Sequence, residues 1–313
     1  MQDTISCVLD LLGVRSAVYF QTDFCAPWGM DVSDTGFAQF HMIVSGEAVI
    51  RHPDGLTIAL SSGDLVVYPT GAPHAICDSA DSPTVPGEQV VGGILNGQPV
   101  FADGTRRTRI ICGHFAYDLS YRHPLISELP TCLVLRSSDI LGTQTLLSLL
   151  QLIIRETNRP TIGSQSIVRR LSDAVFVAVL RSHILKDQPT RGFVAALRDP
   201  RLANCIGAIH SKFPETPSLE SLARVSGMSR SSLALKFQQC VGFGPGEYAK
   251  QWKLLNAAQM LEQSDRSVEE ISFACGYRAP SSFSRAFRQF FGQAASEYRV
   301  WLRSEQSEGS RRT

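Results

Sequence analysis

Between residues 15 and 136 the apolar positions come in short runs broken by tight turns. In "FAQFHMIVSGEAVIRHPDGLTIALSSGDLVVYPTGAPHAI" (37–76) the breaks fall at Ser45-Gly46, Asp54-Gly55 and Ser62-Gly63. Short strands at this spacing, joined by Asp-Gly and Gly-rich turns, predict a β-barrel or sandwich. "TRRTRIICGHFAYDL" (105–119) adds a further strong strand, and "SADSPTVPGEQVVGGILNGQPVFADG" (79–104), rich in Pro, Gly and Asp, reads as a loop. Within "SGDLVVYPTGAPHAICD" (62–78), Pro69, Gly71 and Pro73 pinch two strands apart and leave His74 at the head of the second. A histidine just past a rigid turn can be aimed into a barrel interior.

From 137 to 188 the period becomes helical. Leucines stand at 141, 146, 147, 149, 150 and 152, and a second helix carries Val168, Leu171, Val175 and Leu180 on one side. Two helices this apolar must bury something. Packing on the barrel is one reading; because the apolar residues spread over more than one face, an intermolecular surface is the other.

From 199 to 303 the chain reads as almost wholly helical, and one grammar occurs twice. "SLESLARVSGMSRSSLALKFQQCVGFGP" gives a helix capped by Ser218, a turn at Gly227 and a second helix from Ser229. "SVEEISFACGYRAPSSFSRAFRQFFGQAASEY" repeats it with Ser267, Gly276 and a helix from near Ala279. Ala223 and Ala274 allow close approach, Phe237 and Phe287 face inward, and Gly242 and Gly292 end the second helices. A helix, a glycine turn and a second helix make the DNA-binding helix-turn-helix. Two copies joined by the amphipathic "PGEYAKQWKLLNAAQMLEQS" form a far more specific signal than one.

Composition refines this picture. The 313 residues are enough for two domains with separate cores. The net charge of +1 conceals a split: residues 199–313 hold 15 Lys/Arg against 11 Asp/Glu, residues 1–198 hold 15 against 18. The basic excess thus lies in the doubled motif, where DNA would be engaged. The start "MQDTISCVLDLLGV" lacks a basic region and is interrupted by Asp3 and Asp10, unlike a signal peptide, and no apolar run is long enough to span a membrane. Eight cysteines without a CxxC pair argue for a reducing compartment, and the expected location is the cytoplasm.

Residues 199–303 resemble the C-terminal DNA-binding domain of AraC-type transcription regulators, on the strength of "LARVSGMSRSSLALKFQQCVGFGPGEY" and "ISFACGYRAPSSFSRAFRQFFGQAASEYR". The N-terminal part resembles the cupin sensor domain of one branch of that family, through "FHMIVSGEAVI", "LSSGDLVVYPTGAPH" and "IICGHFAYDLSYRHPLISELP". The resemblance implies an α+β protein of two domains: a cupin-like barrel (1–136), a helical dimerisation or linker region (137–198), a double helix-turn-helix domain (199–303) and a disordered tail (304–313). It implies a sequence-specific regulator and not an enzyme, acting as a homodimer with double-stranded DNA, RNA polymerase and an unidentified small effector as partners.

In that family each recognition helix enters a major groove. The outward residues expected here are Arg230, Ser231, Ala234, Leu235 and Lys236 in the first helix. In the second they are Ser281, Ser282, Ser284, Arg285 and Arg288. Arg285 is the expected base reader, because a guanidinium can bridge guanine O6 and N7. Arg230, Arg278 and Arg288 suit phosphates. Leu235 departs from the polar residues usual at its position and can offer a thymine methyl only apolar contact.

Gly63, Pro69, Gly71 and His74 match the second cupin motif, whereas the first is degraded to Gln39 and His41 without a doubled histidine. That is a poor ligand set for an iron or manganese oxygenase, so a cupin enzyme fused to a DNA-binding module is the lesser alternative. Three uses of the interior remain open. One is a zinc site of His41, His74 and Cys112, with Cys25 or His114 as fourth ligand. Another is a small-effector pocket lined by Trp28, His41, Tyr68, His74 and Cys112. The third is a redox pair, Cys25 and Cys112, joined on oxidation if their Cα atoms lie within about 7 Å. Against all three stands a purely structural role for the histidines and thiols.

Overall fold

The computed structural model describes residues 4–33, 37–117, 123–138, 144–186 and 191–309. The chain forms two compact units: residues 14–119 with 129–187, and residues 1–13, 120–128 and 188–313 together.

The first unit holds two five-stranded sheets. One has the order β1 (Arg15–Cys25), β9 (Arg107–Ala116), β3 (Ala38–Ser45), β6 (Leu65–Tyr68), β10 (Leu133–Leu135). The other has the order β5 (Thr57–Ser61), β4 (Glu47–Arg51), β7 (His74–Cys77), β2 (Gly29–Val32), β8 (Val85–Pro86). Their shared interior is filled by Phe24, Trp28, Ile43, Ile50, Val66 and Ile76 among others. Gly63 and Gly71 adopt φ +86° and +73°, and a Cβ at Gly71 would lie 2.5 Å from the Phe37 carbonyl, so only glycine fits the turn ahead of His74.

Strand β3 is buried on both faces over its first six residues, so the polar Gln39 and His41 are enclosed along with their apolar neighbours. Outside the sheet, Phe40 stacks on Phe115, and Phe115 meets Phe176 of the helix α5 (Ser164–Lys186) at 4.8 Å between ring centres. Truncating the fully buried Phe176 to alanine would cost about 3–5 kcal/mol. Asp173 accepts hydrogen bonds from the backbone N–H and hydroxyl of Ser16. Helix α4 (Gln144–Asn158) packs against α5. Packing on the barrel therefore accounts for part of these helices, while Leu152 and Ile167 stay exposed.

The segment expected to be a loop, 79–104, contains β8 and the helix α2 (Gly87–Leu95), whose buried Val90 and Gly93 tie it down. Composition hid this, because three of the nine helical residues are glycine.

The second unit is helical: α1 (Thr4–Leu12), α3 (Pro124–Ser127), α6 (Phe193–Arg198), α7 (Pro200–Ser211), α8 (Leu219–Val225), α9 (Arg230–Val241), α10 (Pro245–Gln263), α11 (Val268–Ala274), α12 (Pro280–Phe291) and α13 (Ala295–Gly309). Ser218, Ser229 and Ser267 each cap a helix through the side chain, and Ser267 with Glu270 completes a capping box. Gly242 and Gly292 end α9 and α12 in the left-handed conformation that a C-terminal cap requires.

Two domain assignments change. Residues 1–13 and 120–128, placed by the sequence with the barrel, belong to the helical unit, because α1 packs on α7 and α10 and the short α3 packs on α6. The 137–198 region divides: α4 and α5 stay with the barrel, α6 with the helical unit. The tail predicted to be disordered from 304 is helical to Gly309, and residues 310–313 lie outside the described residues.

Candidate functional site

Helices α9 and α12, with Arg278 in the turn just ahead of α12, carry the candidate DNA-reading residues. Arg230, Ser231, Leu235, Arg278, Ser281, Ser282, Ser284, Arg285 and Arg288 are all exposed, because the buried faces of the two helices are used by Leu233, Phe237, Phe283 and Phe287. Ala234 and Lys236 are half-buried. Lys236 is already engaged: its ammonium pairs with Asp199, the residue between α6 and α7. Lys236 with Arg201 and the Arg201 backbone N–H holds the Asp199 carboxyl down to about 2 against the opposing effect of burial. Ser284 donates its hydroxyl to the Pro280 carbonyl one turn back.

In the barrel, three of the predicted residues meet in a row. Cys112 is the direct cross-strand neighbour of His41, and Cys112 Sγ lies 3.0 Å from His41 Nδ1. His41 Nε2 lies 2.8 Å from His74 Nε2, joining the two sheets, and His74 Nδ1 lies 2.8 Å from the Ala72 carbonyl. A carbonyl only accepts, so the protons are assigned from that end. His74 Nδ1 donates to Ala72, His41 Nε2 donates to His74 Nε2, and the Cys112 thiol donates to His41 Nδ1. Every group is neutral. Burial, with His74 as a second cause, lowers the His41 pKa well below its usual value. Burial lowers that of His74 to about 4 against its bond to Ala72, and burial pushes the Cys112 thiol well up. Tyr68 stacks on His74 at 3.6 Å, and its hydroxyl sits 3.2 Å from His52 Nε2.

This row corrects the predicted metal site. His41 uses its two ring nitrogens in opposite directions, so His41, His74 and Cys112 do not converge on one point. Two imidazoles on a tetrahedral zinc would hold their nitrogens about 3.3 Å apart, wider than the hydrogen bond seen. No group of three or more His, Cys, Asp or Glu suited to a metal occurs among the described residues. Among the described residues no donor set matches the zinc suggested by the sequence, and His114 packs beside Tyr19 and Phe37 with its buried Nδ1 lacking a partner.

The redox pair is corrected as well. Cys25 pairs with Arg107 and Cys112 with Phe20, five residues apart along β1. At 3.3 Å per residue that separation is about 16 Å, beyond the reach of a disulfide.

The effector set is only partly assembled around open space. Trp28 is fully buried against Phe24, and His41 and Cys112 are enclosed. A cleft of about 640 Å3 lies instead at the rim of the second sheet, where Asp31, Arg51, His52, His74 and Glu88 supply its polar wall. His74 alone of the five predicted residues reaches it.

The family model described as a cupin matches residues 3–185, more than half of the chain, and one described as a helix-turn-helix domain matches residues 222–300. The protein is an AraC-type transcription regulator with an N-terminal cupin domain. It is 28% identical to the transcriptional regulator AlkR of Acinetobacter baylyi, over 95% of this chain and 99% of that one. It is 27% identical to a helix-turn-helix regulator of Haemophilus influenzae over 95% and 98%. Among solved structures it is similar to the DNA-binding domain of AdpA in complex with a target DNA, at 29% identity over 35% of this chain and 97% of that one, with a TM-score of 0.32.

Two sets of residues in this regulator escaped the sequence reading. His52 belongs to the cleft, and its place just before the Asp54-Gly55 turn at a strand end was the available signal. Inside the DNA-binding unit His123 and His210 are joined through Tyr248, Glu128 accepts the backbone N–H at the start of α6, and Asp199 pairs with Lys236. His123 and Glu128 gave no signal, since they stand among barrel strands in the sequence.

Proposed function

We propose that this regulator controls transcription in response to a small molecule received in the cleft at the rim of the cupin domain. The observation that carries the reading is the hydrogen-bonded row behind the cleft. A ligand that displaces His74 disturbs His41 and Cys112, and thus β3 and β9, the strands of the sheet on which α5 packs. A ligand shifts such an equilibrium only by binding one arrangement better than the other. Exposed Leu152 and Ile167 on α4 and α5 support a homodimer formed through this helical pair. DNA is engaged by α9 and α12 in two successive major grooves, in the cytoplasm, with RNA polymerase as the further partner. The Arg285 guanidinium reads a base, and Arg230, Arg278 and Arg288 hold phosphates.

The test begins with footprinting of bound genomic sites, whose neighbouring genes supply candidate compounds. Transcription from that promoter is then measured in wild type, His74→Ala and Cys112→Ser, with each compound, with oxidant and with zinc. Induction lost in His74→Ala with operator affinity unchanged supports the cleft; wild-type induction in both variants overturns it. A metal-dependent cupin enzyme is disfavoured by the divergent donors, and substrate turnover by purified protein would revive it.

A further inference from the structure

The chain leaves the cupin domain after β9, enters the DNA-binding unit over residues 120–128, and returns to the barrel at β10. The excursion is fastened at both ends. His123, fully buried, accepts the Leu125 backbone N–H at Nδ1 (3.1 Å), so its Nε2 carries the proton and donates to the Tyr248 hydroxyl at 3.0 Å. Tyr248, on α10, donates in turn to His210 Nε2 on α7 at 2.7 Å, and the His210 ring stacks on Trp252 at 3.6 Å. At the other end the Glu128 carboxylate accepts the Phe193 backbone N–H at 2.6 Å and that of Val194, crowning the start of α6. Gly192 has φ +95°, and a Cβ there would stand 2.5 Å from Glu128 Oε2, so this contact depends on the glycine.

Helix α6 is itself clamped to the first recognition helix. The Gly192 N–H donates to the Cys240 carbonyl in the last turn of α9 (2.9 Å), and Asp199, just past the end of α6, pairs with Lys236 in the middle of α9. Polar contacts therefore run without a gap from the strap 123–128 through α6 to α9. Among the described residues, none of the strap's hydrogen bonds reaches α11 or α12.

We propose that Glu128 and His123 are positioning residues for the first recognition helix, and that the strap makes the hold of α9 on DNA depend on the strands β9 and β10 between which it is spliced. This gives the cupin domain a covalent route to the DNA-binding unit besides the connections from α1 to β1 and from α5 to α6, and it acts on one recognition helix only. The inference rests on the DNA-binding function alone and is independent of what enters the cleft.

The test uses the full chain and its selected operator, with Tyr248→Phe and Glu128→Gln, both of which keep side-chain volume. Base-resolved footprinting reads the two grooves separately. Hydrogen exchange reads residues 107–116 and 133–135 with and without operator. The expected result is protection weakened about tenfold in the groove read by α9, with the α12 groove unchanged. Operator binding should also slow exchange in β9 and β10 of wild type and not in the variants. Equal loss in both grooves, no loss in either, or wild-type strands indifferent to DNA would overturn the proposal. Should Tyr248→Phe lose its circular dichroism signal, Glu128→Gln, half-exposed at its helix end, decides the matter.

Discussion

Each unit of the protein buries a pair of histidines in a polar row, and the two rows are built in opposite ways. In the cupin domain His41 and His74 bond directly, and the row ends on a backbone carbonyl at one side and a thiol at the other. In the DNA-binding unit His123 and His210 never touch; Tyr248 stands between them and satisfies both. The first row closes its hydrogen-bond account, whereas the second leaves His210 Nδ1 and the Trp252 indole N–H without partners. A closed row rigidifies the sheets it joins. An open one, held through a single hydroxyl, concentrates the cost of failure in one residue.

Acid should expose what the rows share. Folded His74 titrates near 4, and His123 and His210 near 3, each held down chiefly by burial. Unfolded histidine takes up a proton near 6.5, so below that pH the unfolded chain binds protons that the native one refuses, and stability falls as pH falls. The decline continues until the folded values are reached. At pH 5 each such histidine removes about 2 kcal/mol relative to pH 7, so the pair in the DNA-binding unit removes about 4. Urea unfolding at the two pH values measures it, and equal stabilities would mean that these histidines are charged in the native state.

Tyrosine substitution should separate the rows. Tyr248→Phe strands two buried nitrogens and is expected to destabilise the DNA-binding unit by about 2–4 kcal/mol. Tyr68→Phe keeps the stack on His74 and loses the hydroxyl's bonds to His52 and Cys132, for about 1–2 kcal/mol. Comparable losses in thermal unfolding would remove the distinction between the open and closed rows.

On the DNA side, Arg285→Ala should weaken specific binding by about 1–3 kcal/mol and relax preference at one base pair. Uniform weakening across a binding selection would make Arg285 a phosphate contact.

The smallest effect belongs to Cys112. Cys112→Ser keeps a donor for His41 Nδ1 and should shift stability by less than about 1 kcal/mol, whereas Cys112→Ala leaves that nitrogen bare and should cost about 1–3 kcal/mol. Identical melting of the two variants would show that the thiol bond contributes nothing.

The sequence alone determined the doubled helix-turn-helix, because serine caps, glycine turns and inward phenylalanines are local devices that act within a few residues. It likewise placed His74 at the head of its strand, since the pinch by Pro69, Gly71 and Pro73 is local too. It could gather His41, His74 and Cys112 as candidates but not say which way each ring nitrogen points, for that depends on β3 facing β7 across a sheet interior. The same limit produced the Cys25–Cys112 pairing, which strand register then separated by five residues. The strap 123–128 was beyond reach altogether. Its residues carry no local signal of the unit they join, and only packing against α6, α7 and α10, which lie about 70 to 140 residues later in the chain, decides that a stretch framed by barrel strands belongs to the part that reads DNA.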